Sequence, residues 1–346
     1  MNEGELIDAY VEHQSEPYEK EYLTGNCVQR QYETVQGSAG ILGYSIDLLA
    51  EPPRGGDAIL VEAKIPGLNF NAIGQILQYS YFFPRDRSIV RETATENGGY
   101  WDSKTQVNTF EHHVYPDTDE DGKTIYRPKQ SVGKIEQRII VEKIRPKDLH
   151  LLAVCQALGI DVEAYAGGQW YGREVYDVSP PVDTQRPQLT SWISRNSKQS
   201  LNSPAEDELA RSFVEWISNN EKDVEVFCEV PVGRVLYNAG KSVIADMIIK
   251  TDDFWFVVEV KNSATKTSTR DFQKAFGQAA GYASLFSREW RNQAQIIVPV
   301  VLQESVPVIG NAYRRDRYGN DHDEMLSAAM QDVTQPWVFG PAETFG

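Results

Sequence analysis

One arrangement of residues occurs twice in this chain and constrains its fold more than any other feature. In the first half Asp47 is followed by an apolar run that carries Glu62-Ala63-Lys64, and then by AIGQILQYSYFF at 72–83. In the second half Asp246 is followed by Glu259-Val260-Lys261, and then by AFGQAAGYASLF at 275–286. The match extends upstream. EGELIDAYVEH at 3–13 aligns without gaps on EDELARSFVEW at 206–216, and VQRQYETVQG at 28–37 on VEVFCEVPVG at 224–233. An internal duplication accounts for all of these matches in one step, so the chain should fold as two copies of one α/β unit.

Each copy reads as helix, three strands, helix and strand. Residues 3–14 place Leu6, Ile7, Tyr10 and Val11 at helical spacing, with Asn2 and Glu5 as the cap. Strands are expected at 28–35, 44–49 and 58–65, followed by a helix over 69–83 that Pro84 should end. Residues 85–137 are polar and irregular and read as an insertion. A strand at 138–144, a helix at 147–158 stopped by Gly159 and a strand at 161–166 complete the first domain, 1–172. Residues 173–203, rich in Pro, Ser, Gln and Asn, read as a linker. Ser203-Pro204-Ala205-Glu206 is a capping box that opens the second domain, 204–346. Strands at 295–302 and near Trp337, with a helix near 323–331, are expected in its last part.

At 346 residues the chain can bury two cores. No run approaches the roughly 18 apolar residues of a membrane span. The acidic start, MNEGELIDAY, lacks a signal core, so a cytoplasmic location and no membrane partner are expected. Cys27, Cys155 and Cys228 form no CxxC pair and read as reduced thiols rather than a disulfide, zinc or iron–sulfur framework. The net charge of −16 is unusual for a binder of phosphate backbones, which normally uses Lys and Arg. Two readings stay open: an acidic surface adapted to high salt, which screens repulsion, or a partner other than nucleic acid.

The repeated residues carry a definite chemistry. On a strand, residues i and i+2 share a face, so Glu62 projects with Lys64, and Glu259 with Lys261. A carboxylate on the neighbouring strand, Asp47 or Asp246, gives each copy two acidic ligands. Mg²⁺ is commonly held by a few carboxylates while keeping waters and phosphate oxygens. The lysine can orient and help deprotonate an attacking water as the metal stabilises charge on the phosphate. Strand ends often carry charges, but two copies in register, each followed by the same Gln-x-x-x-Tyr segment, favour a functional reading.

These residues resemble the PD-(D/E)XK nuclease superfamily, closest to its RecB-like branch, through Asp…Glu-x-Lys and the QxxxY elements Gln75–Tyr79 and Gln278–Tyr282. The resemblance covers most of both halves apart from 85–137 and the linker. It implies an α/β fold of two tandem restriction-endonuclease-like domains, each a mixed central sheet flanked by helices. It also implies Mg²⁺ or Mn²⁺ held by Asp47 and Glu62, and by Asp246 and Glu259, and hydrolysis of DNA. A first-helix glutamate often supports the metal in this family, which points to Glu5 and Glu208. Neither aspartate follows a proline, and the iron–sulfur cysteines of some relatives are absent.

The stretch from Lys261 to Gln278 is six residues longer than that from Lys64 to Gln75, and its Lys266 and Arg270 are candidates for phosphate contact. Weaker candidates are His112-His113, which could assist a metal but reads more readily as a solvated loop; Arg314, Arg315 and Arg317, suited to phosphate contact or equally to surface decoration; and Tyr100, Trp101 and Tyr115, which could stack on bases but are more simply explained by packing. The expected function is a two-site nuclease in repair, recombination or defence. The alternative is a DNA-binding or assembly protein with one or both sites silent, and RNA stays open as a substrate, as does homo-oligomerisation. If one site works alone, the uninterrupted second copy with Asp246, Glu259 and Lys261 is the better choice.

Overall fold

The computed structural model describes residues 1–14, 27–33, 45–107, 111–172, 204–220, 222–234, 242–261, 269–289, 296–303 and 337–339. Two compact units result. The first holds Met1–Gly67, Ile76–Lys143 and Ile160–Gly172; the second holds Leu68–Gln75, Ile144–Gly159 and Arg173–Gly346. The sequence reading put all of 1–172 in one domain, whereas the stretches 68–75 and 144–159 group with the second unit. The proposed linker and the helix expected at 323–331 lie outside the described residues.

In the first unit helix α1 (Glu3–Gln14) precedes strands β1 (Cys27–Glu33), β2 (Ser45–Glu51) and β3 (Ala58–Lys64). Helix α2 (Phe70–Glu96), the hairpin β4 (Val114–Thr118) and β5 (Thr124–Pro128), and strand β6 (Ile135–Val141) follow. Helix α3 (Leu149–Leu158), which groups with the second unit, precedes β7 (Asp161–Ala166) and β8 (Gln169–Tyr171) of the first. The six-stranded sheet runs β1-β2-β3-β6-β7-β8. Its β1/β2, β2/β3 and β7/β8 pairs are antiparallel, and β3/β6 and β6/β7 are parallel.

The second unit has α4 (Pro204–Asn220), β9 (Glu225–Arg234), β10 (Ser242–Lys250), β11 (Phe254–Lys261), α5 (Thr269–Glu289), β12 (Ile296–Gln303) and β13 (Trp337–Phe339). Its sheet order, β9-β10-β11-β12-β13 read from the opposite edge, repeats β1-β2-β3-β6-β7 with the same sense at every pair. Both sheets are thus mixed and flanked by helices. No helix among the described residues is long and apolar enough to cross a membrane.

Strand alternation explains how each sheet sorts its residues. Ile59, Val61 and Ala63 pack with Leu6, Ile7 and Tyr10 of α1, and with Leu48 and Ala50. Phe256, Val258 and Val260 pack with Ala210, Phe213 and Ile217 of α4, and with Met247 and Ile249. The residues of opposite parity, Asp47, Glu62 and Lys64 or Asp246, Glu259 and Lys261, therefore fall on the other face. Helix α1 is capped as expected: Asn2 Oδ1 accepts from the Glu5 N–H at 2.9 Å, and Glu5 Oε2 from the Asn2 N–H at 2.9 Å. Gly159, at φ 74°, caps α3 in the left-handed region.

Pro84 does not end α2, which continues to Glu96. An internal proline costs a helix about 3 kcal/mol, but the residues beyond it are buried at helical spacing: Asp86, Arg87, Val90 and Ala94. Val90 and Ala94 pack with Trp101, Val114 and Tyr126. The polar insertion thus has a small core of its own, and its Trp101, at 6% exposure, is packed rather than offered to a base.

Candidate active site

The two acidic pairs are built by the same register. In the first sheet Leu48 pairs with Val61, which sets Asp47 opposite Glu62 one step on; in the second, Met247 pairs with Val258, which sets Asp246 opposite Glu259. Each aspartate is held in the same way. Asp47 Oδ2 accepts from the Ala63 N–H at 2.9 Å, and Asp246 Oδ2 from the Val260 N–H at 2.8 Å. Both amides belong to the residue after the glutamate, so the bond fixes each aspartate beside its partner carboxylate. Each lysine pairs with its own strand's glutamate: Lys64 Nζ is 2.5 Å from Glu62 Oε1, and Lys261 Nζ donates to Glu259 Oε1.

Glu62 and Glu259 are 1% and 2% exposed, so these charges are almost wholly removed from water. Burial, and then Asp47, push the Glu62 carboxyl well above the usual carboxylate range, with Lys64 opposing. Burial, and then Asp246, push Glu259 up to about 8, against the pull of Lys261. Asp47 and Asp246 are also raised by burial, which outweighs the backbone N–H each accepts and the nearby lysine. Burial, the largest single effect, pulls both lysines down, but the strand glutamate, the aspartate and Glu3 or Glu206 together outweigh it, so Lys64 and Lys261 stand above the ordinary value and remain ammonium ions.

The helix glutamates need correction. Glu5 is spent on the α1 cap and is 60% exposed at its side chain, and Glu208 is exposed. The carboxylates that reach the sites lie two residues earlier. Glu3 Oε1 is 3.6 Å from Lys64 Nζ, and Glu206 bears on Asp246, Glu259 and Lys261. Glu3 and Glu206 are the first matched pair of the gapless alignment, and that was the available signal. Asn2 and the cap it makes with Glu5 orient Glu3 at the helix start, where a carboxylate also meets the positive end of the helix dipole.

In the second copy Gln278 Nε2 donates to the Tyr282 hydroxyl at 3.1 Å, one helical turn apart. Burial first, and then Glu259, raise the Tyr282 phenol, so it stays protonated and lies near the acidic pair. In the first copy Gln75 Oε1 instead accepts from Asn71 Nδ2 at 2.7 Å, and Tyr79 is buried. Lys266 lies outside the described residues, as do the side chain of Arg270 and the arginines at 314, 315 and 317. His113 is a buried acceptor for Arg87 Nε at 3.0 Å, and its pKa lies well below normal through burial and then Arg87. It is therefore committed to packing rather than to a metal.

A second buried cluster braces the strand that carries Asp47. Glu51, at the far end of β2, accepts from Arg87 Nη2 at 3.0 and 2.9 Å and from Lys129 Nζ at 2.6 Å. Arg87 Nη1 also donates to the Gln130 carbonyl at 3.0 Å. Gly55, at φ 84°, leaves room for this cluster: a Cβ there would lie 2.7 Å from Arg87 Nη1 and 2.9 Å from the Gln130 backbone.

The acidic pairs fit a divalent cation. Each sets a half-buried aspartate beside a buried glutamate, where like charges oppose ionisation. Lys64 Nζ lies 2.5 Å from Glu62 Oε1, and both Glu62 oxygens are buried. Among the described residues no group of three or more His, Cys, Asp or Glu is arranged to hold an ion. Mg²⁺ requires no such group, being held by one or two carboxylates with water and phosphate. No protein-family model, curated protein or solved structure matches the chain.

These carboxyls make metal-free stability depend on pH. Glu259 titrates near 8 in the folded chain against an ordinary 4.5, so its contribution is full below 4.5 and is lost as pH rises through about 8. His113 has the opposite sign: it is held below 6.5, and its contribution is present above 6.5 and lost as pH falls. Between pH 6.5 and 8 Glu259 acts without that opposition, and stability should then fall by up to about 1.4 kcal/mol per pH unit on its account. Thermal melts in chelator should show this fall, and Glu259→Gln should flatten it; an unaltered slope in the variant would count against the burial effect.

Proposed function

We propose that the chain is a divalent-metal-dependent nuclease that hydrolyses DNA phosphodiester bonds at two sites in one polypeptide. Each site would sit on a restriction-endonuclease-like domain of the kind its motif resembles. The observation that carries this reading is the repeated register: an aspartate set opposite a buried glutamate, tied to the next residue's amide, with a lysine two residues on. A structural role alone gives no reason to set a half-buried aspartate beside a buried glutamate twice in the same geometry.

Mg²⁺ or Mn²⁺ held by Asp47 and Glu62, and by Asp246 and Glu259, would polarise the phosphate and neutralise charge on the leaving oxygen. The chain's own residues supply position and hydrogen bonds. Lys64 and Lys261, as ammonium ions, act as donors that orient the attacking water rather than as bases that deprotonate it. The water oxygen bonds to phosphorus as the bond to the leaving sugar oxygen breaks; the water's proton passes to solvent, and the leaving oxygen departs with the bonding pair and takes up a proton from solvent. Gln278, whose Nε2 donates to the Tyr282 hydroxyl, and the protonated Tyr282 would be the donors to a phosphate oxygen at the second site.

Single- and double-stranded DNA incubated with Mg²⁺ or Mn²⁺ should be cleaved, and chelation should abolish the reaction. The assay should run from low to molar salt, because the net charge of −16 repels DNA most strongly when unscreened. Binding without cleavage at every salt concentration would favour a silent binding or assembly protein. Cleavage of RNA alone would move the substrate class.

A further inference from the structure

The start of α2, up to Gln75, groups with the second unit and meets α5 there more closely than side chains normally allow. The first turns of α2 and the middle of α5 touch through glycines. A Cβ on Gly74 would fall 1.7 Å from the Gln273 carbonyl oxygen, and one on Gly277 would fall 2.3 Å from the Phe70 oxygen and 2.7 Å from the Gly74 nitrogen. Gly281, one turn further along α5, leaves room for Val154 of α3 and for the Phe70 ring, 2.6 and 3.5 Å from its would-be Cβ. Any larger residue at these three positions would push the helices apart.

The close approach brings Phe70 against a residue of the second site. Its ring meets that of Tyr282 edge to face, with centroids 5.6 Å apart and planes at 85°. On its other side lies His150 of α3, at 6.1 Å and 60°. Tyr282 in turn holds Gln278 through its hydroxyl and is near enough to Glu259 and Asp246 to feel their charge. Phe70, Gly74, His150 and Val154 come from the first half of the sequence, yet the stretches that hold them, Leu68–Gln75 and Ile144–Gly159, belong to the second unit.

We propose that Phe70 is a positioning residue for the second active site, fixing the ring of Tyr282 so that the site is completed only by residues from the first copy of the repeat. The inference rests on the nuclease reading for its catalytic consequence and on packing alone for the contact. The first copy has no equivalent arrangement of sequence: the position matching Gly281 is Gln78, which is fully buried.

Two readouts on the full-length chain separate these parts. In protein labelled with 3-fluorotyrosine, the ¹⁹F resonance of Tyr282, assigned by its loss in Tyr282→Phe, should move in Phe70→Leu and stay near its place in Phe70→Tyr. In a Lys64→Ala background, where only the second site can act, Phe70→Leu should lower kcat about two- to ten-fold with KM unchanged, the range an edge-to-face pair supplies. Phe70→Tyr should restore most of the rate. In a Lys261→Ala background Phe70→Leu should lower the rate clearly less than it does in the Lys64→Ala background. An unmoved Tyr282 resonance, or equal losses in the two backgrounds, overturns the proposal. A shifted resonance with no metal-dependent cleavage in either background supports the contact and overturns the nuclease reading instead.

Discussion

Replacing both lysines, Lys64→Ala with Lys261→Ala, should lower metal-dependent DNA cleavage by about 10²–10³-fold or more, the loss that follows removal of one preorganised donor from a transition state. Each single variant should retain the rate supplied by the other copy. The reason lies in placement: each ammonium sits beside a glutamate that is almost wholly out of water. Alanine removes the donor and the glutamate's counter-ion together, so the carboxyl is driven further toward its protonated form. Initial rates on single- and double-stranded DNA, with melts to verify folding, provide the measurement. A double variant that cleaves like the unaltered chain removes the catalytic assignment. Loss with Lys261→Ala alone makes the first copy auxiliary.

The largest effect on folding is expected at Glu51. Glu51→Leu should destabilise the chain by about 3–5 kcal/mol, because it strands the Arg87 and Lys129 charges in the interior. That is a large share of the roughly 5–15 kcal/mol by which domains are stable. Glu51 is fully buried and accepts three hydrogen bonds from those two cations. The pairing joins β2, the part of α2 beyond Pro84 and the segment after β5. Denaturant unfolding of Glu51→Leu tests the size, and Glu51→Gln, which keeps an acceptor but not the charge, should fall between. A loss under about 1 kcal/mol would show that the cations find water instead.

The repeat made most of this arrangement legible. Alternation in β3 and β11 was enough to place Glu62 with Lys64 and Glu259 with Lys261, since their neighbours Val61 and Val258 must face a core. The course of α2 was not legible: Pro84 is a local signal, and it was overridden by Arg87, Val90 and Ala94, whose partners Glu51, Trp101 and Val114 are distant in sequence. The helix carboxylate was misplaced for a related reason. Glu3 and Glu5 are both acidic and both matched in the repeat, and only the cap bond from Asn2 shows which of them is already used. Nor does the sequence disclose that 68–75 and 144–159 group with the second unit, a property of glycine contacts between helices.

The two acidic pairs share one register although the turns that precede them differ. Residues 52–57 join β2 to β3, whereas only Thr251, Asp252 and Asp253 join β10 to β11, with Thr251 closing the turn through its bonds to Phe254. The acids lie toward the open end of each hairpin, and in the second the exposed tip is about 20 Å along the strand from Glu259. That tip is therefore a grafting point. A fluorophore or a short peptide tag placed at Asp252 or Asp253 would sit at the strand end while remaining clear of the acidic pair, giving a handle for following the protein in binding experiments.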